Sequence, residues 1–389
     1  MKTLMEVRQA VPIYCWAERV DKKSMQILKR LARWDRLAGP IAVMPDIHFS
    51  GDVCVGTVLV TETCVLPTAI GQDLGCGMNT QRLEFDASSL RHEHLEALLA
   101  RIGARIPAGR RAHKRPQELP GHLRSGNLST PSLRHTAEWL GGRHLGTLGE
   151  GNHFVELQRD TQGRLWSTVH SGSRGLGAAI AAHHGQAARA RNTLTARREP
   201  LPYFEAGGAD ARAFFSDLEW ALEFARQNRL RMQELVVEAL SELAQQPLET
   251  ADRFDLPHNL ITLEVHEGKR LFVHRKGAMP AQSGVRGIVP GSMGTASYIV
   301  EGRGHPASYA SCSHGAGRVL SRAEAHRTIA PRDFRRRMAR VVYSQAPGME
   351  HALIEEAPQA YKDIKSVLKQ QVELAKPLLR LEPLMVLKG

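Results

Sequence analysis

An aspartate and a cysteine, Asp73 and Cys76, lie three residues apart in a glycine-rich turn that ends at Gly77. Glycine adopts backbone conformations that other residues avoid, so such a turn can bring a carboxylate and a thiolate to one point. Both groups bind metal ions, and a thiolate sulfur can bridge two of them. Taken alone, the pair fits a metal site and equally a turn aspartate beside a small buried cysteine.

Three histidines stand where predicted strands meet loops. His153 follows a Gly-Glu-Gly-Asn run, His170 precedes a Ser-Gly-Ser-Arg-Gly run, and His258 directly precedes a strand. Each alone is more often structural than a ligand, but with Asp73 and Cys76 they supply oxygen, sulfur and nitrogen donors. Donor type favours Zn²⁺, and the carboxylate keeps Mn²⁺ open. The set indicates a metal site assembled from distant segments.

A further histidine, His314, lies among small residues at 311–318. These neighbours leave its imidazole accessible, and a neutral imidazole can attack phosphorus to form a phosphoramidate. Backbone N–H groups and the side chain of Arg318 can stabilise phosphate charge, and residues 290–294 form a second turn of this kind. A Walker A motif is absent from the sequence, which argues against a P-loop nucleotide site. A purely structural role for His314 stays open at this point.

The chain is basic, with 52 Lys and Arg residues against 40 Asp and Glu residues and a formal net charge of +12. Such a balance favours polyanionic partners. Part of the excess is local, because residues 101–124 contain seven Lys or Arg residues and one acid, and residues 332–340 contain five arginines. Few aromatic residues interleave with either cluster, so we expect contacts with a phosphate backbone rather than with stacked bases.

Composition places the chain among folded proteins and excludes disordered and collagen-like classes. Apolar residues make up 42% and charged residues 24%, close to the average of globular proteins. No run approaches the ~18 uncharged apolar residues of a transmembrane helix, and the start shows no apolar leader. The expected location is therefore the cytoplasm. Five scattered cysteines do not indicate a disulfide framework.

Hydrophobic patterning predicts both helices and strands. The predicted elements are strands at 41–44, 53–60 and 165–170, helices at 92–105 and 211–245, and a hairpin turned at 267–268. The residues singled out above fall where apolar strands end in glycines, between Asp73 and Gly317. This spread indicates one composite site on a single continuous domain.

Together, these segments resemble the RtcB-type RNA ligases, the GTP- and manganese-dependent enzymes of tRNA splicing and RNA repair. The matching stretches keep their order and span most of the chain, so the series is specific although each stretch alone is modest. They are Met-Pro-Asp-Ile-His at 44–48, Asp-Leu-Gly-Cys-Gly-Met-Asn at 73–79, Gly-Thr-Leu-Gly at 146–149, Gly-Asn-His-Phe at 151–154, His-Ser-Gly-Ser-Arg-Gly at 170–175, His-Asn at 258–259, Arg-Lys-Gly-Ala at 275–278, Pro-Gly-Ser-Met-Gly at 290–294, Cys-Ser-His-Gly-Ala-Gly-Arg at 312–318, Ala-Tyr-Lys-Asp-Ile at 360–364 and Val-Leu-Lys-Gly at 386–389.

The resemblance implies an α+β fold, a single large RtcB-like domain over residues 1–389 with mixed and antiparallel sheets and a composite central metal and nucleotide site. The basic segment 101–124 would be a surface region of that domain that contacts RNA. The resemblance also implies two Mn²⁺ ions. One would bind Asp73, Cys76 and His153, and the other would bind Cys76, His170 and His258, with Cys76 as the bridge.

The resemblance also implies a nucleotide site, in which His314 would be the nucleophile that receives GMP. Glu156 would accept from guanine N1–H and its 2-amino group, Lys388 would donate to O6, and Phe154 would stack on the base. Apolar residues 384–387 would dock the tail that carries Lys388. The positions that match the family's GMP contacts are Asn152, His153, Phe154, Val155, Glu156, His258, Asn259, Pro290, Gly291, Ser292, Met293, Ser297, His314, Gly315, Ala316, Gly317 and Lys388. The arginines expected at RNA or phosphate are Arg174, Arg318 and Arg322.

The implied activity is GTP-dependent joining of an RNA 3′-phosphate or 2′,3′-cyclic phosphate to a 5′-hydroxyl through a histidine–GMP intermediate, in RNA repair or tRNA splicing. The expected state is a monomer that binds GTP, two Mn²⁺ ions and RNA, away from membranes. Two alternatives stay open. One is a metal-dependent phosphodiesterase that acts on the same RNA ends, and the other is a non-catalytic RNA-binding factor of translation rescue.

Three segments depart from the family pattern. Residues 49–52 read Phe-Ser-Gly-Asp where a more glycine- and lysine-rich turn is typical, and Leu-Pro at 256–257 stands where many members have Cys-His. The usual Cys- and Arg-bearing stretch is missing from 344–350. None of these changes removes a ligand or the nucleophile. They indicate a divergent branch, for which RNA repair linked to translation rescue is one interpretation, and they leave the RNA substrate open.

Overall fold

Helices and strands alternate irregularly along the chain in this computed structural model, which describes residues 3–5, 7, 9–192, 200–344 and 353–389. The strands are β1 (Thr3–Met5), β2 (Ile13–Cys15), β3 (Ile41–His48), β4 (Val55–Thr61), β5 (Cys64–Val65), β6 (Gly77–Asp86), β7 (Phe154–Asp160), β8 (Arg164–Ser171), β9 (Phe204–Glu205), β10 (Thr250–Pro257), β11 (Asn259–His266), β12 (Lys269–Lys276), β13 (Ala278–Pro280), β14 (Arg286–Val289), β15 (Ser297–Gly302), β16 (Ser311–Ser313), β17 (Val342–Tyr343) and β18 (Ala375–Lys388). The helices are α1 (Lys22–Ala32), α2 (His92–Arg105), α3 (Pro131–His144), α4 (Arg174–Arg191), α5 (Ala209–Ala244), α6 (Arg322–Thr328), α7 (Pro331–Met338) and α8 (Ile364–Gln370).

In the described part of the chain, strands from distant segments form two large sheets and two small ones. The first sheet has the order β1-β2-β3-β4-β12-β11, and the second has the order β10-β6-β8-β7-β18-β15-β14, with β17 beside β18. The small pairs are β5 with β9 and β13 with β16. Both parallel and antiparallel pairs occur, since β2 runs parallel to β3 and β17 runs parallel to β18. The architecture is mixed α+β, which confirms the predicted fold class.

Helix α5 is 36 residues long and packs against β6 and β8 of the second sheet. Its apolar residues recur every three or four positions, as the buried face of a helix requires. Met232, Val236 and Leu240 of the helix lie in one core with Leu157 and Val169 of the sheet. The helix predicted from 211 onward is confirmed and begins two residues earlier.

Two other predictions from patterning are confirmed closely. Helix α2 has the predicted bounds, and β11 pairs with β12 through a turn at Glu267-Gly268. Both turn residues have positive φ, 50° and 78°. A tight hairpin needs this left-handed conformation because it matches the twist of the flanking strands.

The last strand, β18, brings the end of the chain into the middle of the second sheet. Its 14 residues pair with β15 on one side and with β7 on the other. Pro383 has no N–H to donate, and the register with β7 shifts between Pro383 and Met385. Beyond that shift, Lys388 pairs with Phe154. Strand pairing therefore carries the penultimate residue to the start of β7, as the docked-tail prediction requires.

The basic clusters of the sequence lie at the surface. Most cations of 101–124 are exposed, while Arg105 is half-buried and pairs with Glu242 at 2.6 Å. The arginines of 332–340 lie on α7 and just after it. Within the described ranges, every helix is too short or too polar to cross a bilayer.

Candidate metal and nucleotide site

Loops at the ends of strands from both large sheets enclose a cavity of about 1010 Å³. Its wall is formed by the turn before β6, the start of β7, the end of β8, the β10–β11 junction and the loops after β14 and β16. The end of β3, part of α4 and the last residues of β18 also line it. Residues that are far apart in sequence meet here, as a composite site requires.

The five predicted metal donors converge within this cavity. The sulfur of Cys76 lies 3.4 Å from Nε2 of His153 and 3.3 Å from Nε2 of His170. Nε2 of His153 lies 3.0 Å from Oδ2 of Asp73. Two triads result, Asp73–Cys76–His153 and Cys76–His170–His258, each with donor atoms within 4.8 Å of one another. Cys76 belongs to both triads.

Two glycines allow these segments to approach so closely. A Cβ on Gly77 would lie 2.5 Å from a carbonyl oxygen of β10, and next to this contact the His258 backbone donates to the Cys76 carbonyl at 2.8 Å. A Cβ on Gly172 would lie 2.2 Å from Oδ1 of Asp73. Carbon atoms do not approach oxygen that closely without a bond, so a side chain at either position would push the donors apart.

Backbone carbonyls orient two of the histidine rings. Nδ1 of His153 donates to the Leu148 carbonyl at 2.9 Å, and Nδ1 of His170 donates to the Asn152 carbonyl at 3.1 Å. With the proton on Nδ1, Nε2 keeps its lone pair and faces the sulfur of Cys76. Histidines that bind metals are commonly held in this way by a second hydrogen bond.

The electrostatics of the cluster fit a bound cation. Burial raises the pKa of the Cys76 thiol well above its usual value, and the Asp73 carboxylate raises it further. Burial also lowers the pKa values of His170 and His258 well below the usual imidazole value, so both rings are neutral. A cation between these donors would stabilise the thiolate and use the free imidazole lone pairs. The residues present therefore fit transition-metal ions.

His314 lies beside the metal donors, with its ring centroid 4.6 Å from that of His258. Asp46 accepts from the backbone N–H of His314 at 3.2 Å and from its Nδ1 at 2.7 Å. Because Nδ1–H is committed to Asp46, Nε2 carries the free lone pair that a nucleophile needs. The ring is less open than its small neighbours predicted. It is 9% exposed, because the loop packs on the end of β3, and it is reached through the cavity.

A buried carboxylate holds the ammonium group of Lys388 in the cavity. Nζ of Lys388 lies 2.8 Å from Oε2 of Glu356 and 5.7 Å from the ring centroid of Phe154. Glu356 also accepts from Arg318 at 3.0 Å and from the hydroxyl of Tyr361 at 2.5 Å. Burial opposes ionisation of Glu356, but the charge and hydrogen bond of Lys388, together with Tyr361 and Arg318, hold the pKa of Glu356 below its usual value. Lys388 is therefore a fixed cation and not a solvated terminal lysine.

A second buried carboxylate, Glu156, lines the same cavity. Burial raises its pKa to about 8, against the opposing effects of the Gln158 hydrogen bond and the Lys388 charge. Nε2 of Gln158 donates to Oε2 of Glu156 at 2.7 Å. In the free protein Glu156 is therefore mostly protonated at pH 7 and can be ionised by a ligand that offers hydrogen-bond donors.

The structure brings most of the predicted site residues to the cavity. Those that line it are Asp73, Cys76, Asn152, His153, Phe154, Glu156, His170, His258, Asn259, Pro290, Gly291, Ser292, Met293, His314, Gly315, Ala316, Gly317, Arg318, Arg322 and Lys388. Val155 does not, because strand alternation turns it away from Phe154 and Glu156 and into the core. Ser297 is buried within β15, and Arg174 lies behind the wall, where it donates to Thr147 at 3.3 Å.

The three segments that depart from the family pattern lie in different parts of the chain and of the fold. Residues 49–52 line the rim of the cavity. Residues 256–257 end β10 and pair with β6, so that the His258 backbone still reaches Cys76. Of the stretch 344–350, residues 345–350 lie outside the described residues.

Sequence reasoning missed two acidic residues that hold functional groups. Asp46 lies in the matched stretch 44–48, but its partner His314 is 268 positions away. Glu356 precedes the matched stretch 360–364 and faces Lys388 across 32 positions. Both acidic residues lie in or near stretches that match the family, yet only the fold shows which side chain each carboxylate contacts.

Comparisons with known proteins assign the class of this chain. The family model described as tRNA-splicing ligase RtcB matches residues 27–139 and 121–389. These ranges include the five residues of the two triads, His314, Glu156 and Lys388. The chain belongs to the RtcB family.

Curated relatives match over nearly the whole chain. The RNA-splicing ligase RtcB of Escherichia coli K12 is 34% identical over an alignment of 408 positions that covers 97% of each chain. The RtcB protein of Mycobacterium tuberculosis is 28% identical and covers 89% of this chain and 96% of its own. The tRNA-splicing ligase RtcB of Nanoarchaeum equitans is 26% identical over 90% of this chain and 88% of its own. The family membership predicted from the motifs is thus confirmed.

Proposed function

We propose that this RNA ligase of the RtcB family joins an RNA 3′-phosphate or 2′,3′-cyclic phosphate to a 5′-hydroxyl with GTP, in RNA repair or tRNA splicing. The observation that carries the proposal is the position of His314. Its free Nε2 adjoins two metal triads that share one thiolate, and the same cavity holds Glu156 and Lys388. A nucleophile, a metal cluster and a base pocket in one cavity are the parts that nucleotidyl transfer needs.

The cavity would hold two Mn²⁺ ions, one on Asp73, Cys76 and His153 and the other on Cys76, His170 and His258. When bound, the ions supply charge neutralisation and orientation for the phosphates. Nε2 of His153 and Nε2 of His170 lie 3.4 Å and 3.3 Å from the shared sulfur, which supports both positions. The mixed set of oxygen, sulfur and nitrogen donors also suits Zn²⁺, so the identity of the metal as Mn²⁺ is part of what we propose.

In the first step, Nε2 of His314 attacks the α-phosphorus of GTP. An N–P bond forms, the bond from the α-phosphorus to the bridging oxygen breaks, and pyrophosphate leaves. The imidazole gains positive charge as its lone pair is used, and the carboxylate of Asp46 at 2.7 Å from Nδ1 stabilises that charge. The fixed ring orientation also keeps Nε2 aimed into the cavity.

In the next steps, an oxygen of the RNA 3′-phosphate attacks the phosphorus of the adduct, and the N–P bond to His314 breaks. The activated 3′-end then has GMP as its leaving group. The 5′-hydroxyl attacks the RNA phosphorus, loses its proton, and GMP departs as the strands join. A cyclic phosphate is first opened by water to give the 3′-phosphate.

Replacement of Asp46 by asparagine should slow adduct formation by roughly 10²- to 10⁴-fold, the range for a group that sets imidazole protonation. Asparagine keeps the shape but removes the negative charge that stabilises the histidine cation. The measurement is the initial rate of labelled GMP transfer to protein, with metal content and thermal stability as controls. An unchanged rate in a folded, metal-loaded variant would remove Asp46 from the mechanism.

Guanine fits the polar groups of the pocket. An ionised Glu156 can accept from N1–H and the 2-amino group, and the ammonium group of Lys388 can donate to O6 while it stays paired with Glu356. Adenine presents a donor at position 6 and no proton on N1, so both protein groups would face the wrong polarity. An unpaired buried polar group costs about 1–3 kcal/mol, so the pocket should favour GTP over ATP.

Guanosine binding should tighten as pH rises from 6.5 to 8.5. The pKa of Glu156 is about 8 in the free protein, and guanine binds the carboxylate form. Over this pH range the ionised fraction of Glu156 rises from about 3% to about 76%, so the apparent dissociation constant should fall roughly 25-fold. Titration calorimetry with metal-free protein and guanosine, which has no titrating phosphate, is the measurement. Glu156→Gln should bind more weakly and show a flat profile, and a flat profile in the unmodified protein would exclude this role.

Deletion of Lys388 and Gly389 should weaken guanylylation at limiting GTP by roughly 10- to 100-fold, because the contact with O6 is lost. Glu356 keeps Arg318 and Tyr361 as partners, so the fold should persist. Metal binding should be unchanged. The measurement is the adduct rate as a function of GTP concentration. If the truncated chain reacts at the intact rate under limiting GTP, the tail is not part of the base pocket.

One experiment separates the ligase function from the two alternative functions. A phosphodiesterase would need the metal cluster but not the His314–Asp46 pair or the base pocket, and a non-catalytic RNA-binding factor would need none of them. Incubation with labelled GTP and Mn²⁺, followed by a denaturing gel, should give a labelled protein band that is labile in acid. The absence of that band, with metals bound, would favour hydrolysis of RNA ends.

We further propose a monomer that folds as one domain over 1–389 and acts in the cytoplasm. The exposed cations of 101–124 and of α7 would contact the RNA backbone. Arg322, whose side chain is 55% exposed at the cavity, is better placed for this role than Arg318, whose guanidinium already meets Glu356 and two carbonyls.

A further inference from the structure

The loop at 49–52, where the chain departs from its family, forms part of the cavity rim. Phe49 at its start is 51% exposed, although it is a large aromatic side chain beside a polar cavity. Among the described residues, Phe49 and Trp139 are the strongly exposed aromatic side chains, and of these Phe49 lines the cavity while Trp139 does not. The exposed ring therefore stands where a ligand of the cavity would pass.

The loop is held in place from two sides. The ammonium group of the half-buried Lys276 donates to the carbonyls of Ser50 at 2.8 Å and Val53 at 2.6 Å. At the outer side, Asp52 pairs with Arg30 of α1 at 3.3 Å. A ring on a loop that is fixed in this way loses little conformational freedom when it binds a flat partner.

A basic helix begins next to this ring. Nζ of Lys23, in the first turn of α1, lies 5.6 Å from the ring centroid of Phe49. The helix has no acidic residue, and its exposed cations repeat at two-turn spacing, which places them on one side. These cations are Lys22, Lys23, Lys29, Arg30 and Arg33. Across the rim, Gln186 and Arg189 of α4 also line the cavity.

Phe49 is close enough to the nucleophile to meet a nucleotide at the reacting phosphate. It lies three residues after Asp46, which binds His314. Three residues of chain separate the Cα atoms of Asp46 and Phe49 by at most about 11 Å, a distance that a short stretch of single-stranded RNA can cover. The base nearest the joint is thus within reach of the ring.

We propose that Phe49 and the basic face of α1 form the entry track for a single-stranded RNA end, with Phe49 stacking on the base nearest the reacting phosphate. The inference rests on the proposed ligase function. An aromatic platform joined to a row of cations is how proteins bind single strands without sequence preference, since every base has a flat face and every nucleotide a phosphate. This track is separate from the clusters at 101–124 and 332–340, which have few aromatic residues.

The test uses the intact protein and two short RNA strands, one with a 3′-phosphate and one with a 5′-hydroxyl. Phe49→Ala should raise the KM for one strand by roughly five- to a hundredfold, the range for loss of one stacked base. Phe49→Trp should restore it. The rate of His314 guanylylation should not change, because GTP alone is the substrate of that step. Trp139→Ala removes the other exposed aromatic ring and should leave both measurements unchanged.

Abasic strands identify the contact directly. A strand without its terminal base should bind the unmodified protein as weakly as the complete strand binds Phe49→Ala, and the variant should lose nothing further with it. Abasic substitution on the 3′-phosphate strand and on the 5′-hydroxyl strand shows which end is stacked. If the effects of the variant and the abasic site simply add for both strands, Phe49 does not stack on a terminal base.

The cations of α1 are tested by salt dependence. Lys22→Gln with Lys23→Gln should reduce the slope of log affinity against log salt by about 1.4, at about 0.7 per phosphate on a single strand. Lys365→Gln with Lys369→Gln on α8, two exposed lysines that do not line the cavity, is the matched control. Equal slopes for both double variants would overturn the track. Absence of guanylylation in the unmodified protein would instead contradict the proposed function.

Discussion

His314→Ala should abolish the covalent GMP adduct, while the protein still binds its metals. No other group in the described part of the cavity combines a free imidazole lone pair with a carboxylate on the opposite nitrogen, as His314 does with Asp46 at 2.7 Å. Alanine leaves nothing to attack the phosphorus, and every later step needs the adduct. The expected result is a loss of the labelled band on a denaturing gel to background.

Two controls make this result specific. Metal analysis of His314→Ala should give the same content as the unmodified protein, since His314 is outside both triads. His92→Ala, which changes an exposed histidine at the start of α2, should form the adduct normally. A normal yield of adduct in His314→Ala would place the nucleophile on another residue.

Cys76→Ala should remove both metal sites at once. The sulfur lies 3.4 Å and 3.3 Å from the Nε2 atoms of His153 and His170, and it is the donor common to both triads. Each triad is left with two protein donors, too few to hold a transition-metal ion firmly against water. Elemental analysis after dialysis should show a loss of two ions per chain.

A matched variant separates loss of the bridge from loss of any buried thiol. Cys64 is fully buried in β5 and does not line the cavity, so Cys64→Ala should keep both ions. Loss of a single ion from Cys76→Ala, with the second fully retained, would contradict the shared-ligand arrangement. The scheme would then need a separate set of donors for the retained ion.

Local sequence patterns predicted the helices and hairpins that are determined by residues close together in the chain. Helix α2 and the β11–β12 hairpin follow from apolar spacing and from a glycine in the turn. Asp73, Cys76, His153, His170 and His258 could be singled out as candidate metal donors because carboxylate, thiol and imidazole groups are the side chains that bind transition metals. Their division into triads came only from the family resemblance, and the observed distances agree with it.

Pairings across long stretches of sequence could not be predicted. Asp46 and His314 meet because β3 and the loop after β16 pack together, and no local signal encodes that contact. Val155 shows what a contiguous matched run does not reveal about side-chain direction. A contiguous matched run suggested a ligand contact for each residue, but in a strand alternate side chains face opposite sides, and Val155 lies in the core.

The most direct test of the ligase function is end joining itself. A labelled RNA with a 3′-phosphate is incubated with a 5′-hydroxyl RNA, Mn²⁺ and the intact protein, with GTP, with ATP or without nucleotide. The function predicts a joined strand that retains the 3′-phosphate as its new linkage, with GTP only. Hydrolysed 3′-ends that form equally without GTP, and no joined strand under any condition, would contradict it.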